Sequence, residues 1–274
     1  TSDIVLLVET TVQTPSGPQT VLAPRVYLTK AAAGDLTSGG AIIAGRDIQL
    51  RASDSLTNAG VIRASASGTL VGGTIVNSGR LDLGSRGIVS AVGDLIDRGG
   101  AITGGDLTLA AGRDLTLAPV ATTRTVATRY YAGRSDQQVS LTTTTTNRGS
   151  DIAATGNLDL LAGRTLSVTG ASAAAGGNLV ASAGQNIAIG GATDSGTAFA
   201  IGREGKTQFK QTQSERSNVL SDLQAGGNVT LATPGALAVN GGTITAGRAL
   251  AVDAGSIGVT GVIDSTQLQR DTLK

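Results

Sequence analysis

The stretch that decides the fold is GGDLTLAAGRDLTL, residues 104–117. It holds two short runs in which apolar and polar residues alternate, and each run follows a turn that contains glycine. The same texture returns in NLDL (residues 157–160) and NVTL (residues 228–231). Alternation with a period of two is typical of strands with one buried face. The sequence therefore predicts many short strands joined by tight turns.

These runs recur with a fixed period along the chain. The first apolar residue after each turn returns at intervals of 8 and of 12 or 13 residues, in the series Leu36, Ile48, Leu56; Leu95, Leu107, Leu115; Leu158, Leu166, Leu179, Ile187; and Val229, Leu237, Leu250. A second marker, one polar residue before a glycine, recurs every 19 or 20 residues at Ser38, Asn58, Asn77 and Asp97. Two independent markers with one period indicate a repeat architecture.

The repeat unit predicts an all-β fold, a right-handed parallel β-helix (solenoid) with about 20–21 residues per coil. The chain has 274 residues, of which 40 are glycine and only five are aromatic. A conventional globule of this size would bury several large aromatic rings. A solenoid core needs only thin layers of Leu, Ile, Val and Ala, and no helical period competes with this interpretation.

A longer repeat lies above the coil, because residues 156–179 map onto residues 227–250 with an offset of 71. Two irregular segments, 122–150 and 194–224, each replace about two coils. We predict that both are extrahelical excursions, and their Thr and Gln content favours β-hairpins; a short amphipathic helix over 211–223 is the alternative. We expect one continuous β-helix domain over 1–274, with a less regular N-terminal segment over 1–33. The absence of Met indicates a fragment of a longer chain.

Composition excludes several chemistries. The chain has no Cys and no His, so it offers no thiolate, no disulfide, no Ser-His-Asp triad and no zinc or haem ligands of the usual kind. Its 21 basic and 20 acidic residues give no field that would attract nucleic acid. The longest clean apolar run, Ile4 to Val8, is far too short for a transmembrane helix. We therefore expect no cofactor, no metal site and no nucleic-acid partner.

Two glycine motifs suggest ligands but depart from the known patterns. GREGKT (residues 202–207) is close to a phosphate-binding loop, yet Ala200 stands where the motif needs glycine, and no helix is expected to follow. We expect a polar hairpin tip instead. The Gly-Asp pairs at 34–35, 93–94 and 105–106 lack the run that calcium-binding solenoids use. We expect Asp and Asn at such places to bond their own backbone at turns, or to form ladders with their equivalents in adjacent coils.

A carbohydrate-active enzyme is the catalytic alternative, since solenoids host lyases and hydrolases that use grouped carboxylates. The aspartates that could stack are Asp47, Asp94, Asp106 and Asp114, but they share one turn position and the coils lack aromatics. We therefore expect no enzyme and no catalytic residue.

The aromatic residues give the best candidates for partner contact. Four of the five lie in the irregular segments, namely Tyr130, Tyr131, Phe199 and Phe209. Aromatic rings outside a scaffold core are candidate contacts. The alternative is that these rings fold each excursion back onto the solenoid.

Five stretches carry a resemblance to a known family: DIVLLV (3–8), VLAPRVYL (21–28), GAIIAGRDI (40–48), LTNAGVI (56–62) and AGGNVTL (225–231). They resemble the filamentous haemagglutinin repeats of two-partner-secretion exoproteins. The resemblance is closest to the effector-proximal repeat block of contact-dependent growth inhibition proteins, and it covers nearly the whole chain.

The resemblance implies a secreted surface filament of Gram-negative bacteria that is exported through an outer-membrane transporter. In the growth-inhibition branch, this block is expected to meet the target-cell outer membrane, or a surface receptor there, and to help a C-terminal toxin enter. The competing expectation is an adhesin shaft that attaches to host cells or biofilm. Unpaired strand edges at the two ends of the solenoid also predict end-to-end self-association of the fragment.

Overall fold

A computed structural model describes residues 4–14, 17–27, 41–131 and 136–273. All regular secondary structure within these ranges is β-strand, which confirms the predicted class, and none of the described residues forms a helix that could cross a membrane. The first strands are β1 (Ile4–Thr14), β2 (Gly17–Tyr27), β3 (Ile42–Arg51), β4 (Ser55–Asn58), β5 (Val61–Gly72), β6 (Thr74–Asn77), β7 (Arg80–Asp82), β8 (Arg86–Ala91) and β9 (Leu95–Arg98). Next are β10 (Ala101–Gly104), β11 (Asp106–Ala111), β12 (Leu115–Ala118), β13 (Val120–Tyr131), β14 (Asp136–Arg148), β15 (Asp151–Ala154), β16 (Leu158–Ala162), β17 (Thr165–Thr169) and β18 (Ser172–Ala175). The last are β19 (Leu179–Ala183), β20 (Asn186–Gly190), β21 (Ala192–Glu204), β22 (Thr207–Val219), β23 (Ser221–Ala225), β24 (Val229–Asn240), β25 (Gly242–Ala246), β26 (Leu250–Thr260) and β27 (Ser265–Leu273).

The chain divides into two compact units, Thr1–Ile42 and Ile43–Lys274. In the first unit, β1 and β2 pair as an antiparallel hairpin, with Thr14 opposite Gly17. In the second, parallel stacked coils form a β-helix, hereafter the rod, and an additional antiparallel sheet projects from it. The expectation of one continuous solenoid domain over 1–274 stays a prediction, and the expected anchors Leu36 and Ser38 and the pair 34–35 lie outside the described residues.

The rod has three parallel sheets, and each coil contributes one strand to each of them. Sheet I stacks β4, β6, β9, β12, β17, β20 and the second halves of β24 and β26. Sheet II stacks the start of β5 with β7, β10, β15, β18, β23 and β25. Sheet III stacks the end of β5 with β8, β11, β16, β19 and the first halves of β24 and β26. The chain passes from sheet II to sheet III to sheet I in every coil.

The periodic apolar residues form columns inside the rod. Leu115 lies between Leu95 and Leu166 in sheet I, and these side chains are at most 1% exposed. In sheet III, Leu107 and Leu158 stack in the same way. Because each apolar side chain packs on its equivalents one coil above and below, a core made of Leu, Ile, Val and Ala suffices. The anchors that the sequence predicts are therefore the core, as expected.

Glycine explains why the anchor series breaks between Leu56 and Leu95. In sheet III, Gly68 and Gly87 occupy the column that Leu107 continues. A Cβ on Gly87 would lie 2.5 Å from Leu107 Cδ2 and 2.7 Å from Leu83 Cβ. The two glycines thus leave room for Leu83, which is fully buried, so the core stays filled while the pattern disappears from the sequence.

A buried polar ladder runs along the corner between sheets I and II. Asn58 Nδ2 donates to Asn77 Oδ1 at 2.7 Å, and Asn77 Nδ2 donates to Asp97 Oδ2 at 2.5 Å. Asp97 Oδ1 also accepts the Gly100 backbone N–H at 3.0 Å. The next residue in this column is Leu117, so the ladder ends on an apolar side chain. The second periodic marker of the sequence is therefore an amide ladder inside the rod.

Candidate interaction surface on the extrahelical sheet

Both predicted excursions are β-hairpins, and both leave the rod at the corner between sheets I and II. The first consists of β13 and β14, close to the predicted range 122–150. The second consists of β21 and β22 and ends at Val219, so the predicted end at 224 is wrong. Residues Ser221–Ala225 form a rod strand in which Leu223 is fully buried. The alternative of a helix over 211–223 is also wrong, because β22 and β23 cover most of that range.

A third excursion, which the sequence analysis missed, follows the last coil. Strand β27 pairs antiparallel with β22, with Ser265 opposite Arg216, and β14 pairs antiparallel with β21. The result is a five-stranded antiparallel extrahelical sheet in the order β13-β14-β21-β22-β27. GREGKT lies at the β21–β22 turn, where Glu204 faces Thr207 and Gly205 has φ +62°. The expected polar hairpin tip is confirmed.

The hairpins fit together because their width matches the rise of the rod. Excursions follow β12, β20 and β26, and the chain turns directly into sheet II after β17 and β24. One hairpin thus appears for every two coils. Two strands of a sheet are about 10 Å wide, and two coils of a parallel β-helix rise by about the same distance. Each 71-residue unit therefore adds two coils to the rod and two strands to the extrahelical sheet without a gap in either.

A buried serine closes the base of each hairpin. Ser150 Oγ lies 3.0 Å from the carbonyl oxygens of both Asp97 and Ala118, and it accepts the Gly99 N–H at 3.2 Å. Ser221 Oγ donates to Gly190 O at 2.5 Å and accepts the Ala171 N–H at 3.4 Å. Each serine is the point at which the chain re-enters the rod. Its hydroxyl bonds the carbonyl at which the chain left, so the interrupted corner stays closed.

A glycine with positive φ lies beneath each hairpin base. Gly99, Gly170 and Gly241 have φ of +60°, +51° and +74° and are spaced by 71 residues. A Cβ on Gly170 would lie 2.7 Å from Ala192 Cβ, where β21 begins. This conformation favours glycine, and the close approach of the hairpin also excludes a side chain.

A repeated side-chain clamp joins one excursion to the next. Asn147, at the end of β14, donates its backbone N–H to Asp194 Oδ1 at 2.7 Å and its Nδ2 to the same oxygen at 3.0 Å. Asn218, at the end of β22, makes the same two bonds to Asp264 Oδ1, each at 2.8 Å. The 71-residue offset of the sequence links Asn147 to Asn218, so the signal was present although the analysis did not extend to it.

Both faces of the extrahelical sheet are open to solvent. On the front face, Val139, Leu141 and Ile201 are 41–47% exposed. On the back face, Val126 and Leu268 are 41% and 64% exposed. Residues opposite one another in an antiparallel pair share a face, which assigns these side chains from the register. The aromatic residues of the hairpins therefore do not fold them back onto the rod.

The four aromatic candidates are divided between the two faces. Tyr131 and Phe199 belong to the front face, and Tyr130 and Phe209 to the back face, by register with Gln137, Leu141, Gln138 and Gly202. The two tyrosines are 59% and 61% exposed. Lys210 Nζ lies 5.8 Å from the Phe199 ring centre, and the Arg270 guanidinium lies 4.8 Å from that of Phe209, so each phenylalanine carries a cation.

A groove of about 590 Å³ brings two of these candidates together near the hairpin tips. Tyr131 and Phe209 line it with Val139, Ile201, Arg203 and Lys210. Aliphatic and aromatic side chains beside two cations suit an amphiphilic surface that carries negative charge. A second groove of about 340 Å³ near the hairpin bases is lined mainly by threonine and serine. No signal in the sequence places these residues side by side, because the strands that carry them come from three excursions.

Comparison with protein families assigns the repeat. Models described as haemagglutinin repeat match residues 130–198 and 202–272, which together are more than half of the chain, and residues 17–95. The chain belongs to the haemagglutinin repeat family. Each of the first two matches spans about one 71-residue unit, from one hairpin to the next. The comparisons found no match among curated proteins and none among solved structures.

Haemagglutinin repeats arranged as a β-helix are a structural, adhesin-type segment of a secreted, surface-exposed filament. The family is of a structural rather than an enzymatic type. The resemblance identified in the sequence is thereby confirmed at the level of the repeat.

In this haemagglutinin-repeat chain, the aspartates that could have formed a catalytic cluster bond the neighbouring coil. Asp94 accepts the Arg113 guanidinium at 2.6 Å and the Asp114 N–H at 3.3 Å. Asp114 accepts Arg164, and Asp106 accepts the Asn157 N–H at 2.8 Å. The expectation that these residues bond their own turn is therefore wrong, because each acceptor bridges to the next coil. Asp47 accepts the Ser67 hydroxyl at 2.6 Å.

The electrostatics of these carboxylates favour an ionised, structural state. The arginine bonds lower the pKa of Asp94 and of Asp114, whereas a general acid needs a raised pKa. Burial raises the pKa of Asp97, but this side chain is fully enclosed in the rod. Among the residues that the structure describes, no cluster of acidic side chains has the geometry to hold a metal ion.

Proposed function

We propose that this chain is the part of a secreted filament that helps a C-terminal toxin cross the target-cell outer membrane in contact-dependent growth inhibition. The observation that carries the proposal is the extrahelical sheet, which is open on both faces and bears exposed aliphatic and aromatic residues beside cations. A shaft that only spaces two ends needs no such sheet. Its expected partners are the outer-membrane transporter that exports the filament and the membrane or receptor of the target cell.

The hairpins are arranged so that they can be removed without cutting the rod. Deletion of residues 192–220 joins Gly190-Gly191 to Ser221-Asp222. In sheets I and II, Gly190 and Asp222 are register equivalents of Thr169 and Ser172, which the chain joins directly through Gly170 and Ala171. Deletion of 119–148 likewise recreates the corner at Gly99 and Gly100. Each deletion should therefore leave the coils stacked.

The test uses the intact parent filament with either deletion, and counts surviving target cells in co-culture. Surface labelling must first establish equal display. The matched control is Leu161→Lys, which adds a cation at an outward-facing, 37% exposed rod position. We expect that deletion of the hairpins abolishes killing while display and attachment to target cells remain. Unchanged killing by both deletion variants would contradict a role for the sheet in delivery.

The adhesin shaft is the second candidate, and the same grooves favour it. The threonine-rich groove and Tyr131 are surfaces on which a host or biofilm partner could bind. Loss of attachment in the deletion variants, at equal display, would favour adhesion over delivery.

A further inference from the structure

The extrahelical sheet ends in two strands whose outer edges pair with no other strand among the described residues. These are β13 at one end and β27 at the other. An unpaired edge presents a row of backbone N–H and C=O groups that can accept a further strand. The question is which of the two edges has space for one, and which partner strand fits it.

Strand β27 is the equivalent of β21 in the next repeat, but it lacks the outer partner that β21 has. Thr145 faces Ser195 in one repeat and Arg216 faces Ser265 in the next, which aligns Ala198 with Leu268. Ala198 is half-buried, whereas Leu268 is 64% exposed. An exposed leucine on an unpaired strand is a feature that natural sheets avoid unless a partner covers it.

The rod favours the β27 edge over the β13 edge. Coils that contain β4, β6 and β9 continue past β13 toward the start of the chain, on the side from which a partner strand would approach. Strand β27 leaves the last coil of the rod, so no described coil lies beyond it. A second sheet can therefore align with β27 without its hairpin tips meeting the first rod.

We propose that β27 pairs antiparallel with β27 of a second copy of this chain, about a two-fold axis at Leu268. Strands alternate in direction across the sheet, and a two-fold axis perpendicular to the sheet continues that alternation. With Leu268 on the axis, the two leucines cover each other, Gln267 faces Gln269, and Thr266 faces Arg270. An axis at Arg270 would oppose two guanidinium groups, and one at Gln269 would leave each leucine opposite an arginine.

One strand pair is a small interface, so the dimer is a concentration-dependent equilibrium. The experiment measures it by sedimentation over a concentration series. The chain has no cysteine, so Leu268→Cys provides a single site for a spin label. We expect dimers in which the two labels at position 268 couple at short distance. Labels at Val259→Cys, on the 73% exposed surface of the last coil, should not couple.

Two matched variants separate this dimer from stacking of coil ends. Leu268→Lys places two ammonium groups opposite each other and should weaken association by about tenfold or more. Val259→Lys adds the same charge to the end of the rod and should leave association unchanged. A chain that stays monomeric at every concentration would overturn the proposal. So would association that Val259→Lys abolishes and Leu268→Lys does not, since that result would indicate end-to-end stacking of the coils.

Discussion

The rod and the extrahelical sheet are built from the same chain and have the same strand spacing, but different forces hold them. In the rod, Leu115, Leu158 and Leu166 are fully buried and pack on their equivalents in adjacent coils. In the extrahelical sheet, the largest aliphatic side chains on both faces are more than 40% exposed. The sheet therefore depends on backbone pairing, cross-strand contacts and its attachment to the rod, whereas the rod depends on buried apolar surface.

The difference indicates that the rod acts as the template for the sheet. A single-layer sheet that buries neither face is marginal in water by itself. Here the rod places each hairpin base about 10 Å above the preceding one, which is the spacing that strand pairing needs. Ser150, Ser221 and the Asn–Asp clamps hold the bases at those positions. The rod thus supplies the order that the sheet cannot gain from burial.

The largest expected effect comes from a charge in the rod core. Leu166→Asp buries an unpaired carboxylate at a fully enclosed position, and should lower the free energy of unfolding by about 4 kcal/mol or more. The measurement is denaturant unfolding followed by circular dichroism. Leu161→Asp is the matched control, because Leu161 lies in the preceding strand but faces outward and is 37% exposed. Equal losses in the two variants would contradict the division between core and surface.

A smaller effect is expected where the two regions meet. Ser221→Ala removes the hydroxyl that bonds Gly190 O, and leaves buried backbone groups at the hairpin base without their partner. The expected loss is about 1–3 kcal/mol. Ser217→Ala changes an exposed serine of β22 and serves as the control. If Ser221→Ala is as stable as the control, the serine does not close the corner.

The sequence predicts the rod better than the sheet, for a physical reason. Column residues such as Leu107 and Leu158 must be apolar in every coil, so burial writes their period into the sequence. The hairpins bury little, and Tyr131 and Phe209 meet in one groove only because strands from separate excursions pair. Their boundaries follow from single polar residues, and an error of five residues at Leu223 resulted. Extension of the 71-residue offset to Ser150 and Ser221 would have marked both hairpin bases.

The clamp between excursions tests whether each hairpin orders the next. Asn147→Ala removes the side-chain bond to Asp194 but keeps the bond from the backbone N–H. We expect about 1 kcal/mol of local destabilisation, seen as faster hydrogen exchange in β14 and β21 with unchanged exchange in β16 and β19. Asn218→Ala should act in the same way on β22 and β27. Faster exchange throughout the rod would show that the sheet and the rod unfold together.

The smallest effects concern two aspartates of the rod, which should respond to pH in opposite directions. Burial raises the pKa of Asp97 in the folded chain, so the folded state holds a proton more tightly than the unfolded state does. The contribution of Asp97 to stability is therefore full at acidic pH and declines as the pH rises through its folded pKa. Asp94 is the matched control, because its bond to Arg113 lowers its pKa and its contribution is lost as the pH falls. The measurement is the difference in unfolding free energy between the wild type and Asp97→Asn, or Asp94→Asn, from acidic to neutral pH. We expect the first difference to fall with rising pH and the second to rise, since one carboxylate is desolvated inside the column and the other lies on the surface beside a cation. Slopes of the same sign would mean that enclosure in the rod does not govern the titration of Asp97.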